Sequence, residues 1–415
     1  MPTRAALSLL LLALLMATGC APKFLPAPVG PFGKDQFLAE SYSKDWSHHK
    51  DELKPGTILF SDRLYCLDKA GKTRWSLSLD GYIPAQIASS PVLPMAAMTA
   101  LSLPDKNGSR TLRVLLLDAR GARPQMKVVR ESAYTKDSQQ ALSITGDGTK
   151  IALLSSGPGA TPTAAGETTA EVMDASGKTL WKLPIPPGRG LVGWDMDGKL
   201  ETAALSLLAN GPGGQTCEVL LCRPSSSRTL TFDSAPQPSV SPDGRFVALG
   251  YSAFPGGSQP EYLLSVYSWE QDPQLLWTKR GMAANESFSP DGRLLLCDDH
   301  SEMHAEGTTE LEVTDTVQVL SAGDGNLLWE QRGKLATRSS WAESGLELLC
   351  FTFPADSGPP VSLARVDLSQ AQPRVNTISL QGFPARAFVL SHDRTVALAI
   401  RADQTLVPVP IPSGP

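Results

Sequence analysis

The 415-residue chain has no concentrated run of positive charge. Its 37 Lys and Arg are set against 42 Asp and Glu, for a net charge of -5, and the two signs are mixed along the sequence. Nucleic-acid binding needs a basic face, so DNA and RNA are excluded as expected partners. The chain also has no Gly-x-Ser-x-Gly elbow, no Gly-x-x-x-x-Gly-Lys-Ser/Thr phosphate loop and no His-Glu-x-x-His, so the common hydrolase, nucleotidase and zinc-protease signatures are missing. The one prominent apolar run, Ala5 to Met16, is too short to span a bilayer as a helix. Cysteine is scarce. Beyond Cys20 there are Cys66, Cys217, Cys222, Cys297 and Cys350, an odd set in apolar contexts such as Leu294-Leu295-Leu296-Cys297. Cys217 and Cys222, five apart, face opposite ways on an extended strand. Buried free thiols are expected, with no disulfide framework.

What the sequence has in abundance is turn chemistry. The 34 prolines and 35 glycines argue for many short strands rather than long helices. Short signatures recur as Thr145-Gly146-Asp147-Gly148, Met196-Asp197-Gly198, Ser241-Pro242-Asp243-Gly244, Ser289-Pro290-Asp291-Gly292, Glu343-Ser344-Gly345 and Ser391-His392-Asp393-Arg394, and Ser90-Pro91-Val92-Leu93 serves as a degenerate first copy. Their spacing is about fifty residues, the length of one four-stranded propeller blade. Within each turn Pro fixes φ, Asp bonds nearby backbone and Gly accepts a positive φ. The apolar run that follows, as in Arg245-Phe246-Val247-Ala248-Leu249, does not alternate with polar residues, so both of its faces must be covered. Stacked blades supply that cover.

A second signature closes the repeat: Leu67-Asp68-Lys69-Ala70-Gly71-Lys72-Thr73-Arg74-Trp75, then Met173-Asp174-Ala175-Ser176-Gly177-Lys178-Thr179-Leu180-Trp181, with looser copies ending at Trp277 and Trp329. It reads as a hairpin whose outgoing strand carries a tryptophan that packs between blades. The Leu-Asp-x-x-x-Gly-Lys-x-x-Trp stretch resembles the repeat of quinoprotein-like (PQQ-like) propellers. Ser-Pro-Asp-Gly is similar to the WD-like repeat of the Tol-system periplasmic propeller. These resemblances imply a fold and carry over no quinone site, since the chain has no vicinal Cys-Cys pair. The expectation is an all-β propeller of seven four-stranded blades, with eight as the alternative. The last turn lacks its own Trp hairpin and the stretch Ile58 to Leu79 lacks a preceding turn, so N- and C-terminal strands are expected to share the closing blade.

The N-terminus pairs Arg4 and the Ala5–Met16 run with Ala17-Thr18-Gly19-Cys20. Small residues ahead of a cysteine suit a processing site. The segment resembles a bacterial lipoprotein signal, which implies acylation of Cys20; ordinary cleavage after Gly19 is the alternative, and both export the chain. The organisation that follows is a signal peptide over 1–19, a Pro-rich anchored tether over 20–56 and a propeller over 57–415.

One connection has chemical character. If Asp298 to Glu306 is extended, His300, Glu302, His304 and Glu306 share a side and could ligate a divalent ion, although the spacing matches no zinc motif and a solvated acidic loop explains the same residues. No catalytic residue and no cofactor is assigned. The connections between second and third strands are the long ones (Ser155 to Thr169, Ala209 to Thr216, Ala253 to Glu261, Asp298 to Asp315, Pro354 to Pro360), and they mark one face as the expected interaction surface. The resulting expectation is a monomeric, non-catalytic lipoprotein of the cell envelope. It would be membrane-held through Cys20, on the outer-membrane or periplasmic side in a Gram-negative cell, and would bind other envelope proteins on its loop face. In anchor, length and repeat type the chain resembles the propeller lipoproteins of the outer-membrane barrel-assembly machinery, from which no binding residue carries over. The alternatives are a small-molecule or glycan binding module and a cryptic envelope hydrolase or oxidoreductase.

Overall fold

The computed structural model describes residues 25–32, 36–42, 63–79, 82–102, 105, 109–134, 139–156, 168–183, 185–186, 189–211, 214–253, 261–270, 272–281, 284–304, 311–333, 337–342, 345–352, 362–370, 372–380, 385–391, 393–401 and 406–411. Among them every regular element is a strand, and no helix is long and apolar enough to cross a membrane. The strands form antiparallel sheets in sequence order: seven of four strands, within 25–78, 82–134, 139–182, 189–232, 237–280, 284–333 and 337–379, and one of three, within 385–410. The chain is therefore an all-β propeller with seven four-stranded blades, as expected, and the three-stranded sheet closes the ring between the seventh of them and the first.

Every turn signature read from the sequence joins the first strand of its sheet to the second, and every Trp hairpin joins the third to the fourth. Both kinds of turn thus lie at one end of the sheets, here called the turn face. The run after each turn is covered on both sides: Leu295, Leu296 and Cys297 are buried in succession, as are Ala96, Ala97 and Met98. The core accordingly lies between sheets. Ala248, Leu264 and Val266 of the fifth sheet meet Phe288, Leu295 and Cys297 of the sixth. Leu349 and Phe351 of the seventh meet Ala397 and Ala399 of the last. The five cysteines from Cys66 to Cys350 are buried, and none of them is in a disulfide.

Ring closure differs from the expectation. The last sheet takes its own outer strand, Leu406–Pro410, and the first sheet takes strands Leu25–Phe32 and Gln36–Tyr42 ahead of Arg63–Leu67 and Thr73–Ser78, so no sheet is shared between the termini. The two sheets close by packing. Leu67 and Leu398 form a buried contact with Tyr65, Val389 and Leu406 around it. Lys69 Nζ donates to Asp393 Oδ2 at 2.7 Å across the seam. The propeller therefore begins at Leu25, inside the stretch 20–56 read as a tether. The prolines of 26, 28 and 31 concealed that strand. Among the described residues it hydrogen-bonds to one neighbouring strand, and an edge strand tolerates residues without an N–H.

Candidate functional site

The turn signatures are a hydrogen-bonding device. Ser289, fully buried, donates its hydroxyl to Asp291 Oδ1 at 2.6 Å and accepts the Leu294 N–H at 2.9 Å. Asp291 Oδ1 also accepts the Arg293 N–H, and Gly292 takes a φ of 72°. Ser241-Asp243 and Ser391-Asp393 repeat the pattern with the same atoms, and Thr145-Asp147 uses a threonine hydroxyl. In the fourth sheet Asp197 replaces the serine, and its own carboxylate accepts the Thr202 N–H at 2.9 Å. These turns also touch from sheet to sheet: the Gly198 N–H donates to Pro242 O at 3.0 Å and Ser90 Oγ to Gly146 O at 2.6 Å. The Asp carboxylates are engaged in scaffold bonds. For Asp393, bonds from Lys69, Ser391 and Thr395 outweigh burial and hold the carboxyl at about 2.

Two carboxylates inside the ring join neighbouring sheets by another route. Asp195 Oδ2 accepts the Val240 N–H at 2.7 Å from the first strand of the next sheet, and Asp298 Oδ2 accepts the Ser339 N–H at 3.1 Å in the same way. Burial raises both to about 6. Glu286 differs: both of its carboxylate oxygens are buried with no hydrogen-bond partner among the described residues, and burial pushes its pKa up to about 8. It pairs in register with Cys297, whose side chain belongs to the apolar layer between the fifth and sixth sheets.

On the turn face an open groove of about 520 Å³ is lined by Lys150, Trp181, Asp197, Glu201, Arg223 and Asp243, among others. Two of its cations are engaged by the scaffold. Lys150 Nζ sits 2.7 Å from Glu201, and the Arg223 guanidinium lies over the Trp269 ring at 4.7 Å while donating to Gly244 O at 2.9 Å.

The hairpin tryptophans are packing groups, as read from the sequence. Trp181 Nε1 donates to Leu200 O and Trp277 Nε1 to Ala322 O, each in the next sheet. Gly325, at a φ of 70°, lies so close over Trp277 that an added Cβ would stand 2.8 Å from Cδ2. At these hairpins the outer strand bulges by one residue, at Arg74, Leu180, Leu276 and Leu328, and the second sheet bulges at Val129. A bulge breaks the period-2 alternation and re-aims a side chain, and on an edge strand it also hinders pairing with a foreign strand. The result is a set of large apolar side chains on the outer rim: Leu180 at 45% exposure, Leu276 at 39% and Leu328 at 48%, with Leu275 and Leu327 exposed beside the last two. The fifth and sixth sheets are neighbours in the ring, so four of these leucines fall on adjoining blade edges. Sequence reading missed them. The signal was present in Leu275-Leu276-Trp277 and Leu327-Leu328-Trp329, where consecutive apolar residues cannot all face inward from a strand.

The residues singled out as metal ligands are partly placed. His300, Glu302 and His304 occupy alternate positions of strand Leu294–His304, opposite Asp315, Val313 and Leu311. Glu306 lies outside the described residues, and so does Cys20. Among the described residues no group of three or more His, Cys, Asp and Glu is placed to hold a metal ion. The long connections are also shorter than expected where they can be followed. Ala209 to Thr216 is a continuous hairpin paired to Gly211 and Gly214, and most of Asp298 to Asp315 is two paired strands.

No family model matches the chain, and no curated protein matches it. Some solved structures are similar at low TM-score. A chain of the mitotic checkpoint complex is 13% identical with a TM-score of 0.44, over 80% of this chain and 93% of that one. The Dos1 propeller is 10% identical with a TM-score of 0.48, over 81% and 75%. The tricorn protease is 11% identical with a TM-score of 0.42, over 93% of this chain and 42% of that one. Likeness at this level concerns the propeller fold alone and assigns no activity.

Proposed function

We propose that this protein is a non-catalytic scaffold of the cell envelope, held to a membrane through an acylated Cys20 and binding partner proteins on its outer rim. The carrying observation is the row of exposed leucines at bulged blade edges, Leu275, Leu276, Leu327 and Leu328 above all. Exposed apolar side chains on a rigid surface favour association, because covering them removes apolar area from water. The rim is offered beside the loop face as the binding surface because its leucines are exposed; most of the loop-face connections lie outside the described residues. The anchor reading rests on the Ala17-Thr18-Gly19-Cys20 sequence.

The test is affinity capture from membranes with three forms: wild type, Cys20→Ser, and a rim variant with Leu275, Leu276, Leu327 and Leu328 replaced by serine. A reproducible envelope partner that the rim variant fails to recover supports the reading. Recovery of the same partners by the rim variant, or of none by wild type, contradicts it.

A further inference from the structure

From the pattern of protected and unprotected blade edges, we infer that strand Arg374–Ser379 takes up an extended segment of another protein as an additional antiparallel strand, with an acidic side chain of that segment on Arg374. The inference goes beyond the leucine surface and does not depend on it. Each sheet ends in an outer strand, and the far side of such a strand presents main-chain N–H and C=O groups that invite foreign strands unless the edge is blunted. Most of the edges here are blunted. Strands Thr73–Ser78, Gln125–Tyr134, Thr179–Lys182, Pro273–Arg280 and Leu327–Gly333 each carry a bulge against the third strand of their sheet. Leu406–Pro410 contains Pro408 and Pro410, which have no N–H to offer. Ser226–Phe232 is regular, but Arg228 within it is ion-paired with Asp272 at 2.7 Å, so a charge sits on that edge.

After its first residue, Arg374–Ser379 has none of these devices. Its 6 residues pair with Ser362–Asp367 in unbroken register. Val375-Asn376-Thr377-Ile378-Ser379 holds no charge and no proline, and Val375, Thr377 and Ile378 are β-branched, the side chains that suit a pleated strand. Arg374, Val375, Asn376 and Thr377 are exposed, Val375 at 47%. In an antiparallel pair every second residue turns its N–H and C=O away from the partner strand, so outward groups recur along about 20 Å of regular edge.

The charge at the start of the edge selects the occupant. Arg374 is the only charged residue of 368–380. Asp367, opposite it in the register, feels its charge but bonds to the Ser369 N–H at 2.9 Å instead of closing an ion pair. A second copy of the chain paired along this edge would bring no carboxylate to Arg374, because 368–380 contains no acid. Two short strands alone also cover less than the roughly 1,200 Å² of a stable interface between folded proteins. An extended segment running antiparallel, with an acidic residue near its C-terminal end, supplies what the edge lacks: main-chain partners along the strand and a carboxylate for the guanidinium.

Fluorescence polarisation with the purified full-length protein tests this. The probe is a labelled peptide, Thr-Val-Thr-Val-Thr-Val-Glu, compared with two forms of it that are N-methylated on the Thr or on the Val nitrogens. The unmodified peptide should bind. One methylated form should bind as well and the other about tenfold more weakly, because only one edge of an added strand meets the protein, a comparison that needs no variant to fold. Thr377→Lys, at an exposed position, should weaken binding about tenfold, and Arg374→Glu should shift the preference to the same peptide ending in Lys. Replacing Leu275, Leu276, Leu327 and Leu328 by serine should leave peptide binding unchanged, which separates this edge from the leucine surface. No binding of the unmodified peptide, equal binding of the two methylated forms, or binding that Thr377→Lys leaves intact overturns the inference. So does a dimer in sedimentation that Thr377→Lys dissolves, since a second copy would then fill the edge.

Discussion

Replacing Glu286 by glutamine should remove a pH-dependent loss of stability. Burial lifts the carboxyl from an ordinary 4.5 to about 8 and leaves both oxygens without a partner among the described residues. A group whose folded value is raised contributes stability that is fully present below the unfolded value and is lost as pH rises through the folded one. The window here runs from about pH 4.5 to about pH 8. At pH 7 the unfolded carboxyl is ionised while the folded one keeps its proton, so folding takes up a proton at a cost of about 3 kcal/mol, at 1.36 kcal/mol per unit. Glu286→Gln keeps the shape and has no proton to exchange. Urea unfolding followed by tryptophan fluorescence at pH 4.5, 7 and 8.5 should show the variant gaining on wild type as pH rises, by about 3 kcal/mol at pH 7 and levelling above pH 8. Asp195 and Asp298 also have raised values, but both proteins contain them and they cancel in the difference. A stability difference that does not change with pH would refute the reasoning, because it would mean Glu286 ionises equally easily in both states.

Three further expectations concern the scaffold. Gly325→Ala should destabilise more than Gly281→Ala. Both sites have positive φ, but only Gly325 would also press a Cβ into the Trp277 ring, and the first change should cost upwards of about 1 kcal/mol in the same assay. Ser289→Ala strands the Leu294 N–H and removes a donor from Asp291, so a loss of about 1–3 kcal/mol is expected; an unchanged urea midpoint would show that the turn hydroxyl is dispensable. Asp393→Asn breaks the ion pair to Lys69 across the seam between the first and last sheets. Because Lys69 is 37% exposed, the expected cost is at most about 1 kcal/mol and should shrink with added salt.

The turns were the most legible part of the fold, for a physical reason. Ser-Pro-Asp-Gly encodes its conformation locally, so its position in each sheet could be read from four residues, and the following apolar run reported double burial just as directly. Closure was less legible. Leu25–Phe32 carries prolines that a central strand would reject, and its role depends on a distant neighbour rather than on its own pattern. The acids within the sheets were hidden for the same reason. Asp195 and Asp298 look like polar punctuation in their strands, yet each satisfies an N–H of the next sheet, a pairing that only the stacked ring creates. The rim leucines stood in plain view and were absorbed into the reading of Leu-Trp as core. The bulge at Leu180, Leu276 and Leu328 separates the two residues, sending Trp inward and Leu outward.

The rim as a protein-binding surface is tested most directly by photo-crosslinking in the native membrane. Benzoylphenylalanine placed at position 276 or 328 should give discrete adducts with a partner protein, whereas the same group at Ser176, exposed on the turn face, should not. Adducts at 176 with none at 276 or 328 would contradict the account.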